Sequence, residues 1–370
     1  MFKIFQNISV KTALVLFVFL SQFKVYSQVK ADKSKRLHYL FIPIIFNTPE
    51  TGISFGLTNS IFFKTTSLKD TSIRMSAIQT IGFFTTKKQN VQAVDASIYF
   101  PKEKYILLVQ FSHSYFPDKF WGIGASTPDS NLERYAFEQF FINPHLKRKI
   151  SKHLFFGSMY EFQRVYNIYY EEGGEFEASN FYGKTNHTVS GAGLSIAFDT
   201  RSHAFWPEKG VFLQSFFTGF KKELFLSDYN FGKLVTDLRY FRKIYKKQVL
   251  AFQFYNYKTF GQTPLRQLAE FGGSNNMRGF YQGRYRENNM FSFITEYRAV
   301  IKGRFGAVLF GGMGNVYNNF SDLVQNDLKV SFGGGLRFAL LKKEKLNIRL
   351  DFGYANKNNM GLYFTVGECF

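Results

Sequence analysis

With a single cysteine, Cys369, among 370 residues, the chain cannot form an internal disulfide, so export would not mean a disulfide-stapled scaffold. Beyond the N-terminal leader, no segment approaches the roughly 20 uninterrupted apolar residues that a membrane helix needs, which argues against a helical membrane protein. The six histidines are scattered, and none has metal-ligand spacing. A nucleophile beside a base is also missing: Ser112-His113-Ser114 is one short run, and an enzyme is not expected. No cofactor is implied. Acids are scarce, with 27 Asp and Glu against 47 Lys and Arg, a net charge of +20. In an exported chain that excess favours lipid headgroups, lipopolysaccharide phosphates or acidic polypeptides rather than nucleic acid.

Export is suggested at the start. Lys3 and Lys11 precede the apolar run from Thr12 to Leu20, and Val25-Tyr26-Ser27 offers small residues before Gln28. Residues 1–27 are expected to be a signal peptide, residues 28–36 a short charged linker too small to fold alone, and residues 37–370 one domain.

Aromatics are abundant, 48 Phe and 22 Tyr, yet mean hydropathy is only −0.17. That combination arises when apolar residues take one face of every strand and polar residues the other. In Leu346 to Tyr354 the even positions are apolar and the odd ones polar or glycine, and Leu328 to Leu340 repeats the pattern. Sixteen candidate strands follow, starting near Leu37, Thr51, Ile73, Val91, Lys104, Ala136, His153, His187, Gly210, Phe231, Lys247, Met290, Arg304, Leu328, Leu346 and Gly361. The expected fold is an all-β, antiparallel transmembrane barrel. Its long connections, Pro117 to Glu133, Tyr170 to Thr185 and Gly261 to Asn289, all follow odd-numbered strands and would share the outer face.

The period sends Lys233, Asp237, Arg239, Glu296, Arg298, Lys329, Arg337, Arg349 and Asp351 to the lumen, where charge is tolerated. Arg278 differs because a long loop carries it. Folded inward between strands eleven and twelve, its guanidinium would need a carboxylate, and Glu296 and Asp351 are the inward-facing candidates. Lumen glycines such as Gly312, Gly333 and Gly335 would leave room for the loop.

Gly272-Gly273 with Arg278-Gly279-Phe280, continuing to Arg284, resembles the loop motif of the BamA/TamA superfamily of outer-membrane assembly barrels, also called bacterial surface antigens. Three further segments resemble that family in its order: Pro49-Glu50-Thr51-Gly52, Asp199-Thr200-Arg201 with Pro207-Glu208-Lys209-Gly210, and Thr295-Glu296-Tyr297-Arg298. The resemblance implies that Arg278 anchors an inward loop on Glu296. A second family acid, in a Phe-x-Asp-x-Gly pattern, is replaced here by Gly312 within Phe310-Gly311-Gly312-Met313-Gly314, which leaves Asp351 as a substitute. The family's periplasmic POTRA array has no counterpart in residues 28–36, so transport would rely on the barrel or on a separate periplasmic partner.

The last expected feature is the seam between first and last strands. Pro43 cannot donate to a ladder, and Gly361 and Gly367 would weaken the final strand, Gly361 to Phe370. In the resembling family this seam is thought to open and template client strands. Phe364, Val366 and Phe370 share a phase like the C-terminal signal by which such barrels are inserted, with Glu368 at the membrane interface. The expected function is assistance in inserting or translocating proteins at the bacterial outer membrane. The alternative is a passive channel with a basic, anion-favouring lumen.

Overall fold

Alternating aromatic and β-branched side chains pack well on a pleated surface and lose rotamer freedom in a helix, so these sequences form strands. The computed structural model describes residues 37–66, 73, 75–203, 205–325, 327–341, 345–356 and 358–370; the expected leader and linker lie outside them. Sixteen strands close into an antiparallel barrel. Its first half comprises β1 (Leu37–Thr48), β2 (Gly52–Phe63), β3 (Ser76–Thr85), β4 (Asn90–Tyr99), β5 (Tyr105–Phe120), β6 (Glu133–Lys149), β7 (Leu154–Tyr170) and β8 (His187–Asp199). The second half begins with β9 (Gly210–Phe220), β10 (Phe231–Tyr245) and β11 (Gln248–Gly261). After a connection holding the small ribbon β12 (Ala269–Phe271) and β13 (Tyr285–Glu287), it resumes with β14 (Asn289–Lys302), β15 (Phe305–Tyr317), β16 (Lys329–Leu341), β17 (Leu346–Asn356) and β18 (Asn359–Val366).

Each expected start lies within three residues of an observed one. Two boundaries need correction. β5 runs through Pro117 to Phe120 rather than ending at the proline. The register that pairs Asn90 with Tyr115 carries Pro117 past the end of β4, so its missing N–H interrupts no ladder on that side. β18 ends at Val366 rather than Phe370, because Gly367 has φ +91° and turns the chain.

The outward face is apolar: Leu309, Phe332, Leu336, Phe352 and Leu362 are all exposed. On the other face Lys233, Glu296, Arg298, Arg337, Arg349 and Asp351 are buried. A charge on the lipid face near the midplane would cost about 2–4 kcal/mol, which fixes this orientation of every strand. Long connections after β5, β7, β9 and β11 share one end of the barrel, while the first residues of β1 and the turns after β4, β6, β10 and β14 lie at the other, which is therefore periplasmic.

Candidate functional site

β14 and β17 present Glu296 and Asp351 inward at alternate positions, and the connection between β11 and β14 brings Arg278 between them. The guanidinium donates through Nη2 to Glu296 and through Nη1 to Asp351, and all three side chains are fully buried. Its plane rests 3.5 Å above the Phe310 ring centroid. Both carboxylates have second cationic partners: Arg298 Nε donates to Glu296 at 2.7 Å, and Arg337 Nη1 donates to Asp351. Arg349 donates to the Ser274 carbonyl at 3.0 Å and to Asn275 Oδ1 at 2.8 Å, so a second wall arginine grips the same segment. Buried charges are tolerated when they are matched and hydrogen-bonded, and both carboxylates here accept from two guanidinium groups.

Backbone geometry lets the segment come this close. At Gly279, φ is +110° and its N–H donates to the Tyr363 hydroxyl at 2.9 Å. A Cβ on Gly353 of β17 would stand 2.7 Å from the Arg278 carbonyl carbon, so the missing side chain opens the approach. Of the three glycines expected to leave room for this connection, one does so and two act otherwise. Gly312 makes space for Met277, Gly333 for the Phe310 ring and Gly335 for the Asp351 carboxylate. Gly272, at φ +110°, lies against the Tyr281 carbonyl, and Gly273 N–H donates to Phe280 O at 3.0 Å, closing the segment on itself. Phe280 is buried against Phe271 and Tyr285.

A second set of contacts reaches the opposite wall, and the sequence reading had not found it. Asp118 of β5 accepts from Arg286 Nη2 at 2.9 Å and from the Tyr281 hydroxyl at 2.9 Å. Arg284 holds Asp129 at 2.7 Å and the Thr127 carbonyl at 2.8 Å in the connection after β5. The Asn358 amide beside Asp129, with Arg284, holds that carboxyl below the usual carboxylate range. In the turn after β1, Glu50 accepts from Gln282 N–H at 2.8 Å, while burial pushes its carboxyl up. On β10, Lys233 pairs with Glu161 of β7 at 2.6 Å and with Gln267 at 3.0 Å. Contact with both walls could have been suspected from the acids Asp118 and Glu161, but their inward phase falls within strands whose alternation is broken by polar runs.

The periplasmic turn Asp199 to Gly210 is tied by Arg201, whose guanidinium holds Asp199 at 2.8 Å and covers Phe212 at 4.2 Å. It sends Trp206 into a buried cluster with Val308 and Phe310, beneath Arg298. The run Ser112-His113-Ser114 is held differently: His113 meets Gln92 at 3.2 Å and Tyr166 at 2.9 Å rather than either serine.

The C-terminal residues need a further correction. Leu362 and Val366 are exposed on the outer face, but Phe370 is not in line with them. It is 5% exposed, packs on Phe241 and accepts from Arg298 Nη2 at 2.9 Å through its carbonyl oxygen. Glu368 is likewise not at the membrane interface; it pairs with Arg337 at 2.8 Å. The physical reason is the turn at Gly367, whose positive φ takes the last residues off the strand axis.

At the seam, β1 pairs with β2 at every position from Leu37↔Phe63 to Thr48↔Gly52. Among the described residues its pairing with β18 is confined to Asn47↔Phe364, supported by Asn47 Nδ2 donating to Leu362 O at 2.9 Å. The same register would set Pro43 opposite Glu368, beyond the end of β18. Gly361 admits the Pro49 ring, which a Cβ would meet at 2.6 Å.

The profile of the Omp85 superfamily domain matches residues 79–370. The chain belongs to the Omp85 superfamily. As an Omp85 barrel it is an integral outer-membrane protein. Its fold is similar to that of BamA from Haemophilus ducreyi lacking POTRA domains 1–3, at 12% identity and a TM-score of 0.59, covering 90% of this chain and 70% of that one. It is also similar to CdiB from Acinetobacter baumannii, with 12% identity, a TM-score of 0.58 and coverage of 90% and 60%. CdiB from Escherichia coli gives 10% identity, a TM-score of 0.62 and coverage of 90% and 63%. The chain therefore spans between 60 and 70% of the length of these Omp85-like structures. No curated protein matches the sequence.

Proposed function

We propose that this Omp85 barrel helps insert or translocate other proteins at the outer membrane, using the seam between β1 and β18 as the working edge. The supporting observation is the one-sided pairing of β1. From Leu37 to Ile44 it is bonded to β2 but extends past the end of β18. A row of backbone groups without a neighbour is a template for strand addition, and a client strand supplies the matching donors and acceptors. The connection from Gln262 to Asn288 then acts as a tie folded into the barrel. Its Arg278 clasp on Glu296 and Asp351 holds β14 to β17 together while the seam is thin. Clients would be unfolded outer-membrane or exported chains, delivered by a separate periplasmic partner. Phe364, Val366 and Phe370 would serve as an insertion signal in the unfolded chain, before Phe370 docks.

A passive anion channel is less well supported. Arg278, Arg298, Arg337, Lys233 and Arg239 are matched by Glu296, Asp351, Glu368, Glu161 and Asp237, so these lumen cations are neutralised. Depletion of the protein, followed by quantitation of the outer-membrane proteome, tests the proposal. A defined set of outer-membrane or surface proteins should fall; an unchanged proteome would refute it.

A further inference from the structure

Most lumen cations of the described residues are matched by acids, but a set of exposed lysines and one arginine gathers at one end of the barrel. The short turns at the periplasmic end carry Lys102 and Lys104 between β4 and β5, Lys152 between β6 and β7, Lys246 and Lys247 between β10 and β11, and Arg304 between β14 and β15, all exposed. Among the described residues of these four turns the one acid is Glu103, and the neighbouring turn's Glu208 is engaged by Lys243 and Lys345. The opposite end is different. Its exposed connections hold Glu171, Glu172, Glu177, Glu223 and Asp228 alongside their lysines.

Each basic turn is flanked by apolar side chains on the lipid-facing surface. Phe100 and Tyr105 bracket Lys102 and Lys104, Ile150 precedes Lys152, Ile244 and Tyr245 precede Lys246, and Ile301 and Phe305 flank Arg304; all are exposed. Lys104 Nζ lies 5.8 Å from the Tyr105 ring centroid. This is the arrangement of an interfacial girdle, in which aromatic bodies sit at headgroup level and the cation reaches to the polar layer. Turns of two to five residues cannot carry these charges far from the bilayer surface. A polypeptide partner docking on the barrel axis would meet cations turned toward the lumen mouth, whereas Lys104 lies against the exposed Tyr105 ring and the others adjoin exposed apolar side chains in sequence.

We propose that this periplasmic collar binds the anionic phospholipid headgroups of the inner leaflet, holding a ring of such lipids around the barrel. The ligand chemistry is a phosphodiester bearing net negative charge, met by several lysine ammonium groups and one guanidinium. Lipopolysaccharide faces the other end and is not the partner of this surface. The collar also passes beneath the seam, since the free part of β1 lies at the same end of the barrel.

The full chain, folded in detergent micelles, is offered equal amounts of dioleoyl phosphatidylglycerol and dioleoyl phosphatidylcholine, and the bound lipids are counted by native mass spectrometry. The wild type should retain phosphatidylglycerol in preference. Replacing Lys102, Lys104, Lys152, Lys246, Lys247 and Arg304 together by Gln should reduce that preference about tenfold or more. A control carrying Lys88→Gln, Lys221→Gln and Lys222→Gln at the other end should keep it. Heat-modifiable gel mobility confirms that each variant is folded, and if the six-fold variant does not fold, the two three-residue halves are measured in its place. Retention of the preference in the collar variant overturns the proposal. So does a wild type that shows no lipid preference but binds polyglutamate, which would assign the collar to an acidic polypeptide.

Discussion

β1 and the β10–β11 hairpin belong to the same barrel, yet they are held very differently. The hairpin is paired from Phe231↔Gly261 to Tyr245↔Gln248, and each of its strands also has a neighbour on the far side. β1 is equally well paired to β2, yet its other edge meets β18 at Asn47↔Phe364 among the described residues. One local feature produces the difference: Gly367 turns the chain inward before it could cover that edge. The weak line in the wall is therefore written into the backbone. Beside it stands the most heavily charged part of the lumen, where Arg278, Arg298 and Arg337 lace β14 to β17 through two carboxylates. A barrel that closes through so short a seam gains from a second tie between its adjacent strands, and the clasp supplies that.

The largest effect should come from cutting the clasp. Arg278→Ala leaves two buried carboxylates short of a partner and should cost about 3–5 kcal/mol, read as a lower unfolding temperature in heat-modifiable gel mobility. Gly353→Ala tests the same contact without altering charge. Its methyl group would collide with the Arg278 backbone, and a loss of about 1–3 kcal/mol is expected, together with protease cleavage between Gln262 and Asn288 that the wild type resists. Hydrogen exchange sharpens the comparison directly. Amides on the free edge of β1 should exchange about tenfold faster, or more, than those of β10, and equal protection would mean that the edge is covered. The smallest effect is expected for Pro43→Thr, which restores a donor where no acceptor waits. Stability should move by less than about 0.5 kcal/mol, and a larger gain would reveal an unseen partner for that edge.

Much of this was legible in the sequence. Strict alternation in Leu346 to Tyr354 gave both the strand and the inward phase of Arg349 and Asp351, because a period of two leaves no freedom once one face meets lipid. Arg278 and its two acids could be matched for the same reason: a guanidinium in a loop between inward-facing carboxylates has few other partners. The inward turn at Gly367 could not be read. Phe370 continues the apolar phase of Leu362, Phe364 and Val366, and nothing in that pattern registers a positive φ three residues earlier. Gly353 was missed because a strand glycine reads the same whether it faces solvent or the backbone of a distant segment. The Asp118 contacts with Arg286 and Tyr281 join residues more than 160 positions apart and depend on how the connections stack above the barrel.

The account stands or falls on whether the seam between β1 and β18 must open. With Cys369→Ser removing the native thiol, Asn47→Cys and Phe364→Cys place a cross-link at the pairing observed between these strands. The cell's outer-membrane proteome is then compared with the pair oxidised and reduced in a strain depleted of the wild-type protein. The oxidised form should fail to restore the missing proteins and the reduced form should restore them; full restoration by the locked barrel would contradict the account.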